Sequence, residues 1–499
     1  MSIYNGFYPL AIGRQPVDDS FSWINLLHQR VQQKDVSFVP LNALAVPLKQ
    51  DFRESIDVGH LFLTRAHQYD TLRRKPKDVR WYADVDDMCG FYVLGNMKRC
   101  VNEKKFWVNI LSRTVYSRDN IRVEPNMDGR VHIFPPITAV EYEKNTPDFK
   151  TERRLILEEA EAANQPSVGA EFDEKKDRLE ETEFFVGQRL ELLDNNDSSR
   201  LHVARIQEIR GRRWRVKIVQ EDCPTDLYSM LNESQTEKDG TFWVDEESVF
   251  VFPVGFAAIN GYNIVAKDDY ITHTERIRDS VNAQQPPAYD PVDIQVTVLR
   301  REAIPRNLWS MIEEGQKFEF LDPLDAKQNE LTVATVRKVC KTHGYVIVSA
   351  DGSEEETVPI HLMSGYIFPV GYAEKYGMKL KKPSNFRGRF AWNKYLAQEG
   401  AVRIPEVLTK PMPSQERLDK FKIGAYLEAG DMNDNTSIHP ARIVSHHGRV
   451  VRVFYEGYDS SHDAYFDIDS HNLFPIGFSE ICNFKLQRPT VESSSSVQV

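Results

Sequence analysis

The chain has little cysteine, no long apolar run and no excess of positive charge, and each shortage removes a class of protein. Its five cysteines, Cys89, Cys100, Cys223, Cys340 and Cys482, form no Cys-x-x-Cys pair and no Cys/His array with zinc spacing. That argues against a disulfide scaffold or structural zinc site and points to a reducing compartment. No run of about 18 apolar residues is available to cross a membrane, and the opening MSIYNGFYPLAIG lacks the basic start and apolar core of a secretory signal. A soluble intracellular protein without membrane contact is expected. A formal net charge of -11 suits a basic partner and argues against affinity built on phosphate neutralisation. Direct nucleic-acid binding is therefore expected to be weak or absent, with the basic runs Arg210–Arg213 and Lys379–Lys382 read as solvated turns. There is no Gly-x-Ser-x-Gly elbow, no Walker loop and no His-Glu-x-x-His. No catalysis, cofactor or metal is expected.

What is present is a repeat. Phe252-Pro253-Val254-Gly255-Phe256 recurs as Phe368-Pro369-Val370-Gly371-Tyr372 and as Phe474-Pro475-Ile476-Gly477-Phe478, with a degenerate copy at Phe134-Pro135-Pro136-Ile137. The intervals exceed a solenoid unit of about 20 to 50 residues, so each unit can be a small domain. Four follow: 1–149, 150–262 with a long polar insertion at 220–240, 263–385, and 386–490, ahead of a disordered tail, 491–499.

Each unit reads as an arm followed by a strand meander. Strands are expected at 186–194, 201–206 and 214–219 in the second unit, at 317–322, 331–336 and 345–348 in the third, and at 424–431 and 441–444 in the fourth, from half-alternating apolar runs between turn residues. In the first unit the core is expected from about Asp86 to Pro136, with strands at 90–94, 106–111 and 121–123. Short helices are expected at Phe21–Leu27 and Phe390–Leu396. Both precede a Val/Ile-Pro pair, Val39-Pro40 and Ile404-Pro405, so the arm before the first core is expected to share its architecture with the arm before the last.

Units of this kind, with a Gly-x-x-Leu-Glu-x-x-Asp strand, a Tyr-x-Gly-Tyr-Asp loop and a Phe-Pro-Val-Gly-Tyr turn, resemble malignant-brain-tumour (MBT) repeats. The match is specific in the last three units and weak in the first, and four units cover nearly the whole chain. The resemblance is to four-repeat MBT proteins of the Polycomb-like or nematode vulval-development repressor type. It implies a mainly β fold, a tandem array of four small Tudor-like five-stranded barrels with partly helical arms. It also implies a nuclear, repressive chromatin role, with methylated histone tails of H3 or H4 and repressor-complex proteins as partners.

A methylammonium ion is a diffuse, poorly solvated cation, attracted to aromatic faces and, while it keeps an N–H, to a carboxylate. Carried over from the family, the carboxylate of the fourth unit is Asp431, the first two rings are Tyr455 and Tyr458, His462 stands in the third ring position, and Asp434 is the polar residue three after Asp431. His462 packs as a flat wall when neutral and repels the ligand when protonated, which makes it the weakest member. The third unit keeps Asp322 and Asp325 but has no ring in its loop, and the second keeps Asp194 and Asp197 with only Phe242 and Trp243 following, which read as core. In the first, Gly95 stands where the carboxylate belongs. The same aspartates can equally cap turns, and a scaffold with no working pocket is the alternative reading.

Overall fold

The computed structural model describes residues 23–487, apart from 34–35, 46–54, 71–74, 100–104, 113, 121–130, 135–148, 178–181, 195–196, 212, 225–240, 300–303, 326–327, 354–355 and 432–436. The expected strand 121–123, most of the 220–240 insertion, Asp434 and the tail 491–499 lie outside the described residues. Among the described residues there are four antiparallel sheets, each built on a five-strand path. In the fourth, the strands are Tyr426–Gly430, Ile438–His447, Val450–Tyr455, Ala464–Asp467 and Leu473–Phe474. The two-residue last strand pairs with the first. The second and third sheets repeat this and add a short parallel strand, Asn263–Val265 and Leu380–Lys381. Every second strand carries one register shift against the third, at Val85/Asp87, Ile206/Glu208, Val336/Lys338 and Ile443/Ser445. An extra residue there bends the strand and raises its twist, which curls the sheet.

The first sheet corrects the expected core. Its first two strands are Leu61–Asp70 and Lys75–Cys89, a long hairpin that begins well before Asp86. The segment read as a first strand is the third, Tyr92–Met97. The degenerate Phe134-Pro135 copy is not the closing turn either. Phe134 ends an additional strand paired with Lys105–Asn109, and Val115–Tyr116 closes onto the first strand instead.

The Phe-Pro-x-Gly turns nucleate short helices at Phe256, Tyr372 and Phe478. The glycine before each has φ near +90°, at 87°, 93° and 88°, where a Cβ would be strained. The orphan N–H groups of each helix are met by a buried glutamate of the first strand. Glu191 accepts from Gly255 and Ala257, Glu319 from Gly371 and Ala373, and Glu428 from Gly477 and Ser479, at 2.6–2.9 Å. Burial pushes the Glu191 carboxyl up to about 7 against those bonds. In the first sheet the register position of this glutamate, opposite the last strand, holds Leu63, consistent with the missing Phe-Pro-x-Gly turn.

An arm side chain completes each glutamate, and here the assignment of arms needs correction. Trp392 donates to Glu319 at 2.8 Å, Tyr270 to Glu191 at 3.0 Å, and Trp23 to Glu428 at 2.8 Å. The parallel bridges agree: Ser167 joins Leu61, Asp293 joins Arg189, Arg403 joins Lys317, and Phe38 joins Tyr426. Each arm therefore docks on the sheet before it in the chain, and the N-terminal arm docks on the fourth sheet. The expected kinship of the two Trp arms holds, since each places an indole N–H on the equivalent first-strand glutamate of its sheet, Trp392 on Glu319 and Trp23 on Glu428. The N-terminal helix, Ile24–Gln33, also reaches the first sheet through Arg30 and Asp87 at 2.6 Å. One apolar core accordingly runs through the arm and the first and fourth sheets.

The fourth repeat contacts the other three. Arg213, 2% exposed, lies over the rings of Phe474 and Phe484, each 5.3 Å from the guanidinium carbon, and Trp243 packs edge-on against Phe484 at 4.8 Å. Arg210 and Arg213 of the basic run are thus inter-repeat contacts, and Trp243, expected as core, is buried in the same contact. His471 faces Asp245 at 3.3 Å. Burial alone would lower the His471 pKa, but Asp245 raises it above its ordinary value, and Asp245 is held low in spite of its own burial, chiefly by His471. The His471 contribution is present below about pH 6.5 and lost as pH rises through the raised value; that of Asp245 is present above about pH 3.9 and lost as pH falls through the depressed one. Unfolding measured at about pH 5 and about pH 9 is expected to show lower stability at the higher pH, and His471→Asn should shrink that difference.

Candidate ligand pocket on the fourth sheet

The first strand of the fourth sheet is short and ends at Gly430, so the chain leaves it with Asp431 28% exposed in its side chain. Two strands away, Tyr455 ends the third strand. Its ring is 5% exposed, and its hydroxyl donates 2.8 Å to the Gly430 carbonyl, which brings strand end and ring together. Burial, then Asp431 and Asp463, push the Tyr455 hydroxyl far above its ordinary range, so it stays a neutral donor. Tyr458 is half-buried in the following loop. His462 lies on a single turn of 3-10 helix, 53% exposed, its ring 5.3 Å from Tyr458.

The structure therefore gathers Asp431, Tyr455, Tyr458 and His462 at one end of the sheet, and adds a residue that sequence reasoning missed. His439, 4% exposed in the second strand, has its ring 5.5 Å from Tyr455 and 5.3 Å from Tyr458, both edge-on, and its Nε2 is 3.7 Å from Asp431 Oδ2. Two signals were available: His439 pairs with Ala429, two residues before Asp431, and so shares that end of the sheet, and Ile438-His439-Pro440-Ala441-Arg442-Ile443 parallels Leu201-His202-Val203-Ala204-Arg205-Ile206 of the second unit, where His202 holds the same register position beside Asp194.

The other sheets differ at the same positions. In the second, Asp194 is 9% exposed and engaged by Arg200 at 2.8 Å and His202 at 2.7 Å, and the register puts Ile218 where Tyr455 stands. In the third, Asp322 accepts from the Leu324 N–H at 2.9 Å and burial raises its pKa, while Ala350 takes the place of Tyr455. In the first, Gly95 lies in the third strand with its Cα backed against the Phe106 ring, so it does not mark the carboxylate position. Counting along the strands puts Ala66 and Met97 at the places of Asp431 and Tyr455. Among the described residues one group, His273, Asp290 and Asp293, has the spacing to hold a metal ion. Arg189 already bridges its two carboxylates at 2.6 and 2.8 Å, supplying the charge a cation would bring. No helix among the described residues is long and apolar enough to cross a membrane.

The mbt repeat family model matches residues 188–271, 316–387 and 425–493, which take in the second, third and fourth sheets. Protein lin-61 of Caenorhabditis elegans is 41% identical over 477 residues, 95% of this chain and 77% of that protein. The chain belongs to the MBT-repeat family. Malignant brain tumor repeat protein 1 of Caenorhabditis elegans is 33% identical over 96% of this chain and 88% of its own length. Polycomb protein Sfmbt of Drosophila melanogaster is 26% identical over 82% of this chain, though only 31% of that protein. The fold is that of the four MBT repeats of Drosophila Sfmbt, solved in complex with the peptide RHR(me)KVLR. That likeness has a TM-score of 0.70 at 22% identity, covering 94% of this MBT chain and 99% of the other, and it brings in the divergent first repeat.

Proposed function

We propose that this protein is a non-enzymatic, nuclear chromatin reader that binds methylated lysine on H3 or H4 tails through the fourth repeat and acts in transcriptional repression alongside repressor-complex proteins. The observation that carries the reading is that, among the described residues, the fourth sheet sets an aromatic ring beside its strand-end carboxylate, with Tyr455 near Asp431 and Tyr458 reaching the same end through its contact with His439. In the second repeat the equivalent aspartate is engaged by Arg200 and His202, and the third has no ring at the Tyr455 position. The methylated peptide in complex with the Sfmbt repeats is consistent with this ligand class. A carboxylate favours mono- and dimethyl-lysine, which keep an N–H to donate. Cation–π gains of about 0.5–2 kcal/mol per ring, offset by ordering a flexible tail, lead to micromolar to millimolar affinity.

The test is a titration of wild type and Asp431→Ala against H3 and H4 tail peptides differing only in methylation at one lysine. Loss of a charge-assisted bond of about 1.5–3 kcal/mol weakens binding about 10- to 150-fold. Asp194→Ala and Asp322→Ala are expected to bind like wild type, and equal loss in all three would overturn the single-pocket assignment. Tyr458→Ala is the better ring variant, because Tyr455 belongs to the apolar core of its sheet and its truncation destabilises the fold as well. The deep burial of Tyr455 is also what favours the alternative, a scaffold that recruits repressor subunits. Methylation-independent binding by a folded sample would establish that alternative.

A further inference from the structure

Resting on the reader function proposed above, we propose that His439 is a buried wall of the fourth-repeat pocket and a proton-controlled competitor for the ligand's ammonium group, so that binding is lost on mild acidification. His439 makes edge-on ring contacts with both Tyr455 and Tyr458, and its Nε2 lies 3.7 Å from the carboxylate oxygen of Asp431. A methylammonium drawn to Asp431 between those rings therefore comes up against the imidazole. Neutral, that imidazole is a polarisable wall. Protonated, it is a second cation at the same carboxylate, in a site where burial weakens screening.

The other charged groups around His439 do not provide this competition. From the end of the first strand comes Asp431 itself. From just past the third strand comes Glu456, which Arg442 holds at 2.8 Å. From the following loop come Asp459, 73% exposed and 3.5 Å from His462, and Asp463, which Arg452 holds at 2.6 Å. The segment crossing beside Ile438 contributes Leu486 and the neutral Gln487. Of these carboxylates, Asp431 is the one with an oxygen 3.7 Å from the His439 ring. His462 is the other histidine of the pocket, but it is exposed and its ring contact is with Tyr458.

If ligand and proton exclude each other, affinity is constant above the imidazole pKa and falls by about tenfold for each pH unit below it, with histidine ordinarily near pH 6.5. The experiment measures the affinity of the full chain, between about pH 7.5 and about pH 5.5, for the methylated tail peptide that binds best at the higher value. Wild type is expected to weaken about tenfold across that window, His439→Gln to change by less than about twofold, and His462→Gln to follow wild type. A pH dependence that survives in His439→Gln, or that disappears in His462→Gln, overturns the proposal. So does flat wild-type binding. Should His439→Gln fail to fold, the wild-type imidazole is titrated by NMR with and without peptide. Peptide must lower the His439 pKa, and an unchanged value overturns the proposal equally. Absence of any methylation-dependent binding at about pH 7.5 would instead remove the reader function, and this inference with it.

Discussion

Replacing Glu428 with alanine is expected to destabilise the fourth repeat by about 3–5 kcal/mol, the scale of breaking a buried charged network from one side. Its carboxylate is fully enclosed and accepts from the Gly477 and Ser479 N–H groups, the Ser479 hydroxyl and the Trp23 indole. Alanine leaves these buried donors without an acceptor, and each costs about 1–3 kcal/mol when nothing replaces it. Trp23→Phe keeps most of the ring volume and removes one donor, so it should cost nearer about 1 kcal/mol. Denaturant unfolding gives both differences. Hydrogen exchange locates them: faster exchange should appear in the strands from Tyr426 to Phe474, the sheet on which the N-terminal arm docks. Exchange confined to the strands from Leu61 to Tyr116 would contradict that docking.

Arg449→Ala is expected to lower stability by about 3–5 kcal/mol as well, through loss of the contact between the third and fourth repeats. The side chain is 1% exposed. It pairs with Asp467 at 2.5 Å, donates to the Ile367 carbonyl at 2.7 Å, and lies 4.3 Å from the centre of the Phe368 ring, while its backbone N–H donates to the Tyr372 hydroxyl. Truncation opens a cavity at the junction and leaves Asp467 with Lys410 as its remaining ion-pair partner, at 3.1 Å. Arg449→Lys keeps the charge but loses the planar fork and the stacking, so it should restore only part of the stability. Adding Asp467→Asn to the alanine variant should recover some of the loss, because part of it comes from the stranded carboxylate. Calorimetry is the readout. A single transition in wild type that divides in two in the variant would show the third repeat unfolding apart from the fourth. An unchanged single transition at the wild-type midpoint would place the coupling elsewhere.

Repeats two, three and four were legible because each keeps the same local chemistry: a strand bearing the buried glutamate, then a Phe-Pro-x-Gly turn whose glycine takes positive φ. The first repeat was misread by two strands for the same reason. It has Leu63 in place of the glutamate, closes at Val115–Tyr116 without a Pro-Gly turn, and begins with a polar hairpin that shows little apolar alternation. Of the pocket, Asp431, Tyr455, Tyr458 and His462 could be named because the fourth unit resembles an MBT repeat and these residues stand at its motif positions. His439 was missed although its segment parallels Leu201-His202-Val203-Ala204-Arg205-Ile206 of the second unit; that it meets Tyr455 and Tyr458 depends on antiparallel pairing across strands.

What the sequence determined by itself was local: which segments are strands and where they turn, since backbone preference and apolar period act over a few residues. The partners were decided by tertiary structure. Trp23 and Glu428 are 405 positions apart, Arg213 is buried under rings of another repeat, and Asp431 meets Tyr455 and His439 from two other strands. Each depends on which surfaces exclude water together, and that is a property of the packed array rather than of any single stretch of chain.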